Sequence, residues 1–128
     1  MADLRDASAA ADAIGARAAV CDVADEAAVS RLIDEIADRD GLDIVVNNAG
    51  VAGKAFADTS AETIHANFRV NTCGAFIGVK HSARRMRDGG AIVNVASLAA
   101  LVGFPTYVGY SVSKVGVVAL TRTAAIEL

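Results

Sequence analysis

The sequence predicts an α/β fold organised around a parallel sheet of the doubly wound class. Short apolar runs alternate with longer stretches whose apolar residues recur at helical spacing. Alternation of this kind builds parallel strands joined by covering helices. Polar residues stand where the strand-like runs end: Asp3, Asp22, Asn47-Asn48 and Ser97. In doubly wound folds ligands bind beyond the carboxyl ends of the strands, so these stops mark one edge of the sheet as functional. With 128 residues, 54% of them apolar and only one a proline, the chain fits a single domain with a real core.

The chain opens on what reads as the end of a strand, residues 1–5, followed by an alanine-rich helix over residues 7–14 that Gly15 stops. Residues 18–22 read as a short strand ending in Asp22. A helix over residues 25–38 carries Val29, Leu32, Ile33 and Ile36 on one buried face and closes at Gly41. Residues 42–46 form a buried strand that runs into the turn Asn47-Asn48-Ala49-Gly50. After a loop, Thr59-Ser60-Ala61-Glu62 has the pattern of a capping box. It opens a long helix over residues 60–85, with a kink expected near Asn71, where an asparagine interrupts an apolar stretch. Gly89-Gly90 breaks the chain before a strand over residues 91–96. The loop 97–109 delivers a last helix over residues 110–128, apolar nearly all round, as expected of a helix buried on more than one side.

Composition narrows the function. A net charge of −3 offers no basic footprint for nucleic acid. Cys21 and Cys73 show neither metal-ligand spacing nor a disulfide framework, so no metal site is expected. Both fall in apolar segments and read as buried free thiols. No apolar run approaches the ~20 residues of a membrane span. Residues 1–13 lack the apolar core of a signal peptide, and a reducing cytoplasmic setting is the expectation. His65 and His81 match no motif and read as surface helix residues.

The chemistry is concentrated in residues 97–114. Tyr110 and Lys114 stand four apart at the head of the last helix, a spacing that puts a phenol and an ammonium on one face. A free phenol titrates near ~10, too high for a base at neutral pH, and a nearby cation favours the phenolate. Ser97, at the end of a strand, offers a hydroxyl to orient a substrate oxygen beside Tyr110, although strand-terminating turns also favour serine. Tyr107 has the serine Ser111 four residues on instead of a cation, and reads as a decoy.

The ordered set Asn47-Asn48-Ala49-Gly50, Asn71, Ser97 and Tyr110-x3-Lys114 closely resembles the classical short-chain dehydrogenase/reductase family, over nearly the whole chain. The resemblance implies a Rossmann-like doubly wound parallel sheet, present in part, as one NAD(P)-binding domain over residues 1–128. It implies an oxidoreductase moving hydride between the cofactor and a small alcohol or carbonyl substrate. Tyr110 would be the acid/base, Lys114 its electrostatic partner and the holder of the nicotinamide ribose, and Ser97 the substrate-orienting hydroxyl. Asn71 would help hold a water in a proton relay, a role compatible with a helix kink. Asn48, Ala49 and Gly50 would wall the adenosine half of the cofactor site, and Asp22-Val23 would meet the adenine, although a lone aspartate there also makes turns. Asp3, at the end of the family's second strand, would accept bonds from a ribose 2′-hydroxyl and repel a 2′-phosphate. With Leu4 following it, NAD is favoured over NADP.

The family's glycine-rich pyrophosphate turn and its C-terminal substrate segment have no counterpart here, so the expectation is an internal fragment. Taken alone it should have no useful cofactor affinity, with the strands at 18–22 and 42–46 either pairing directly or leaving open edges. The resemblance also implies a homodimer or homotetramer of the intact protein through helices 60–85 and 110–128. A sugar-nucleotide epimerase or dehydratase on the same Tyr-Lys pair and a non-catalytic interaction module are the alternatives. Asn47-Asn48-Ala49-Gly50 fits the former less well than it fits the dehydrogenases.

Overall fold

A computed structural model describes residues 1–128 and resolves the alternation into four short strands and five α-helices. Strand β1 (Ala2–Asp3) pairs in parallel with β2 (Ala19–Val20), the crossover being α1 (Ser8–Asp12). Gly15, at φ 66°, reverses the chain after α1 in a conformation that favours glycine. Helix α2 (Glu26–Asp40) starts at Asp25, whose carboxylate accepts the Ala28 N–H at 3.1 Å, and ends at Gly41 with φ 79°. Strand β3 (Ile44–Asn47) pairs in parallel with β4 (Ala91–Asn94), in register from Ile44 opposite Ala91 to Asn47 opposite Asn94.

Between β3 and β4 runs one long interrupted helix: α3 (Ala61–Asn67), a π-helical stretch (Phe68–Cys73) and α4 (Gly74–Ala83). The irregularity expected near Asn71 is therefore a π-bulge, a common form of helix distortion at functional positions. The N-cap of α3 is Ser60, whose hydroxyl accepts the Thr63 N–H at 3.2 Å. The capping pattern is thus shifted one residue from Thr59, whose own hydroxyl donates to Ala55 O and closes the preceding turn instead. Helix α5 (Val108–Glu127) ends the chain.

The core is the buried face read from the spacing. Val29 and Ile33 of α2 meet Cys21, Leu42 and Ile77, with Leu32, Ile36, Val45 and Met86 packed around them. Burial first, with Asp25 and Asp22 adding, pushes the Cys21 thiol up, which makes it an inert core residue. Cys73 departs from expectation: it is exposed, on the outward stripe of the long helix with Arg69 and Phe76, where helical spacing turns it away from the sheet. His81 departs too, because its ring is 3.0 Å from Glu26 Oε1 and its side chain is 15% exposed, so it helps link α4 to α2.

Helix α4 lies tight on the sheet. A Cβ at Gly78 would come within 2.1 Å of Asn47 Oδ1, so only glycine allows the approach. Asn47 in turn donates to Asn94 Oδ1 at 2.8 Å, and Asn94 donates to Thr121 Oγ1 at 3.0 Å, joining β3, β4 and α5.

Strands β2 and β3 are not hydrogen-bonded, so there are two separate two-stranded sheets, the open-edge outcome of the two that the sequence allowed. One face of β3–β4 packs on α4, while the other exposes Ile44, Val46 and Val93. Helix α5 buries Ser113, Lys114 and Val117 but leaves Val112 and Val115 about half exposed. No helix is long and apolar enough to cross a membrane.

Candidate active site

Beyond the carboxyl end of β4 the chain stays extended to Ser97 and then turns through a 3₁₀ segment (Leu98–Ala100). Ser97 Oγ accepts the Ala99 N–H at 3.1 Å, capping that turn and leaving its own hydroxyl proton free to donate. The turn-residue reading of Ser97 is thus present. The loop returns through Thr106, at φ 65° an uncommon backbone for a non-glycine residue, and enters α5 so that Tyr110 lies in its first turn.

Ser97, Tyr110 and Lys114 then share the wall of one cavity of about 510 Å³ with Asn48 and Gly50 from the end of β3. Lys114 is 3% exposed. Its ammonium donates to Val95 O at 2.6 Å and stands 5.7 Å from the centre of the Tyr110 ring. A charge so deeply placed requires a hydrogen-bond partner, and the carbonyl at the end of β4 provides one. An ammonium has three donors, so two remain for groups in the cavity. A Cβ at Gly50 would lie 3.1 Å from Asn71 Oδ1 and 3.6 Å from Lys114 Nζ, so glycine keeps the space over the lysine clear.

Asn71, 1% exposed, sits beneath this wall and not in it. Its Oδ1 accepts the Val51 N–H at 2.7 Å, and its amide donates to Val51 O at 3.0 Å and Ser113 Oγ at 2.9 Å. Ser113 Oγ passes the chain on to Tyr110 O at 2.7 Å. The bonding of Asn71 to backbone is therefore present, within the π-bulge.

Asp3, Asp22, Val23 and Ala49 do not line the cavity. Asp3 ends β1 and accepts the Arg5 N–H at 3.0 Å. Asp22, just past β2, accepts the Ala24 N–H at 2.9 Å, and its other oxygen lies 3.7 Å from Arg69. Val23 packs against Gly74, where a Cβ would meet Val23 Cγ2 at 2.9 Å. Both carboxylates thus lie at the carboxyl ends of their strands, as expected, and both cap local turns.

Three contributors escaped the sequence reading. Tyr107, set aside as a decoy, lines the cavity and meets Tyr110 edge-on, ring centres 5.7 Å apart at 61°. Ser113 is fully buried in the Asn71–Tyr110 link, and its place inside the Ser111-Val112-Ser113-Lys114 run was an available signal. Asn67 is 1% exposed and bonded to the Val51–Ala52 backbone; its signal was its position one helical turn before Asn71.

Comparison with known proteins gives a consistent set. Residues 1–128 match the family profile described as Enoyl-(Acyl carrier protein) reductase. The chain is 38% identical over 112 residues to an L-2,3-butanediol dehydrogenase of Corynebacterium glutamicum, covering 84% of this chain and 43% of that protein. It is 41% identical over 115 residues to a D-threitol dehydrogenase of Mycolicibacterium smegmatis, covering 87% and 44%. A gluconate 5-dehydrogenase from Burkholderia cenocepacia, solved with NADP and tartrate, superposes with a TM-score of 0.90 at 33% identity, over 99% of this chain and 54% of its own. An NAD+-bound xylitol dehydrogenase superposes with a TM-score of 0.84 at 35% identity, over 94% and 49%. The chain therefore spans about half the length of the proteins it matches.

Proposed function

The chain belongs to the short-chain dehydrogenase/reductase family, and on that premise we propose that it carries the catalytic corner of an NAD(P)-dependent alcohol dehydrogenase or ketoreductase. The observation that carries this reading is the shared wall: Ser97, Tyr110 and Lys114 open onto one cavity, with the ammonium anchored at 2.6 Å by Val95 O beside the Tyr110 ring. Tyr110 takes the proton of a substrate hydroxyl, or returns it to a carbonyl oxygen. Lys114 sets its ammonium beside the Tyr110 ring, 5.7 Å from its centre. Ser97 donates its free hydroxyl proton to the same substrate oxygen and orients it. Asn71 fixes the floor of the corner through Val51 and Ser113, and would help hold a water in a proton relay from Lys114.

When bound, the nicotinamide cofactor supplies the hydride acceptor or donor. The residues fit such a group. Gly50 leaves open space above Lys114, whose two remaining donors suit ribose hydroxyls. Asn48 and Gly50 of the cavity wall, with Ala49 between them in the chain, would hold the adenosine side of such a group, Asp22 and Val23 would lie toward its adenine, and Asp3 would accept from a ribose 2′-hydroxyl and favour NAD over NADP. Val51, Ala52, Phe104 and Tyr107 give the substrate side an apolar lining, suited to a small uncharged alcohol or ketone. The protein works in the cytoplasm as a homodimer or homotetramer through the long interrupted helix and α5.

The test is an absorbance assay of NADH and NADPH formation by the full-length protein with a panel of secondary alcohols. Alcohol-dependent reduction, stronger with NAD, is expected; its absence with every alcohol and ketone tried would overturn the reading.

A further inference from the structure

Asn67 is the last residue of α3, and its amide is buried to 1% exposure. Its Nδ2 donates both protons to one short piece of backbone, to Val51 O at 3.1 Å and Ala52 O at 3.1 Å. Those two bonds fix the orientation of the amide, because the flipped form would set its oxygen against two carbonyls. The remaining atom, Oδ1, is buried without a hydrogen-bond partner. It faces Gly109, where a Cβ would approach it to 2.4 Å. Leaving a polar atom buried and unpaired is unfavourable, so the bonds made by the other atoms of the amide have to offset that cost.

What they do is hold a strap. Asn67 and Asn71 are one helical turn apart on the same face, and together they bond Val51 N–H, Val51 O and Ala52 O. The strap is pressed on its other side against the head of α5, since a Cβ at Gly53 would lie 3.3 Å from Tyr110 N and 3.4 Å from Tyr107 Cα. Val51 and Ala52 line the cavity together with Tyr110 and Lys114 of α5. Asn67 therefore touches both parts, the strap through its amide and the first turn of α5 through its oxygen at Gly109.

We propose that Asn67, with Gly109 as its steric partner, is a positioning residue that sets the distance between the Val51–Ala52 wall and Tyr110. This rests on the catalytic reading of Tyr110 given above. Asn67 touches neither cofactor nor substrate; it acts through the strap and the helix head. A shift of about 1 Å in such a pair is expected to slow the chemical step by roughly ten- to a hundredfold. Cofactor binding, borne by other residues, should not follow.

The test uses the full-length protein and two variants that disturb the contact from opposite sides, Asn67→Leu and Gly109→Ala. Hydrogen exchange of the cofactor-free protein is read first, over residues 50–54 and 107–111. Both variants should exchange there at least about tenfold faster than wild type, with residues 26–40 unchanged. In steady-state kinetics kcat should fall about tenfold or more while the cofactor KM stays within about twofold. Unchanged exchange in both segments, or a kcat within about twofold of wild type, would overturn the proposal. Should Asn67→Leu fail to fold, Gly109→Ala carries the same expectation alone. Should the wild type turn over no alcohol or ketone, the catalytic reading fails, and exchange in the two segments still decides whether Asn67 sets the wall.

Discussion

A lysine in the interior of a protein usually either loses its charge or finds a fixed partner. Lys114 has the partner, Val95 O at 2.6 Å, and the sequence could not show it because the two lie on different elements. The four-residue spacing to Tyr110 was legible because it is local to one helix turn. Tyr107 was not, since a test for a cation four residues on says nothing about a loop that folds a second phenol onto the first. Asn67 was hidden for the same reason: its partners Val51 and Ala52 lie 16 and 15 residues away. At this scale Asp3 makes the sharpest separate prediction. If its exposed carboxylate repels a 2′-phosphate, Asp3→Ser in the full-length protein should raise the kcat/KM ratio of NADP to NAD on the order of tenfold. An unchanged ratio in steady-state assays would remove Asp3 from the cofactor site.

The elements were read in the right order, with boundaries off by a few residues. Hydrophobic spacing identifies a helix such as α2 well, because Val29 and Ile33 are buried for the reason the spacing implies. Strands were read longer than they are: residues 18–22 yield only Ala19–Val20, where pairing and not composition sets the length. The π-bulge was legible only as a kink at Asn71, because the bonds of that residue to Val51 and Ser113 lie across the fold. Close packing of α4 on β3 depends on a single absent methyl. Gly78→Ala should push into Asn47 and destabilise the protein by about 1–3 kcal/mol, lowering Tm by several degrees. A thermal melt matching wild type would show that α4 and β3 have more room than their contact implies.

In the whole molecule the apolar surface is unevenly distributed. Phe76 on the long helix and Val112 and Val115 on α5 are each about half exposed. Exposed apolar patches of this kind commonly mark interfaces. The full-length protein is expected to run in light scattering at a dimeric or tetrameric mass, and Val115→Asp to shift it towards monomer; a monomeric wild type at micromolar concentration would contradict the proposed assembly. A second patch, Ile44, Val46 and Val93, lies on the exposed face of β3–β4, a sheet that shares no strand pairing with β1–β2 in residues 1–128. The crossover helix between β2 and β3 permitted direct pairing as well as open edges, and the sequence could not decide between them. The proposed catalytic corner does not depend on β1–β2, because the 97–109 loop and α5 carry its three side chains. The measurement that bears on it most directly is steady-state turnover of Tyr110→Phe in the full-length protein, alongside calorimetric titration of the cofactor. Removing one hydroxyl should lower kcat by roughly three orders of magnitude while leaving cofactor affinity within a few-fold; near-normal turnover by that variant would contradict the account.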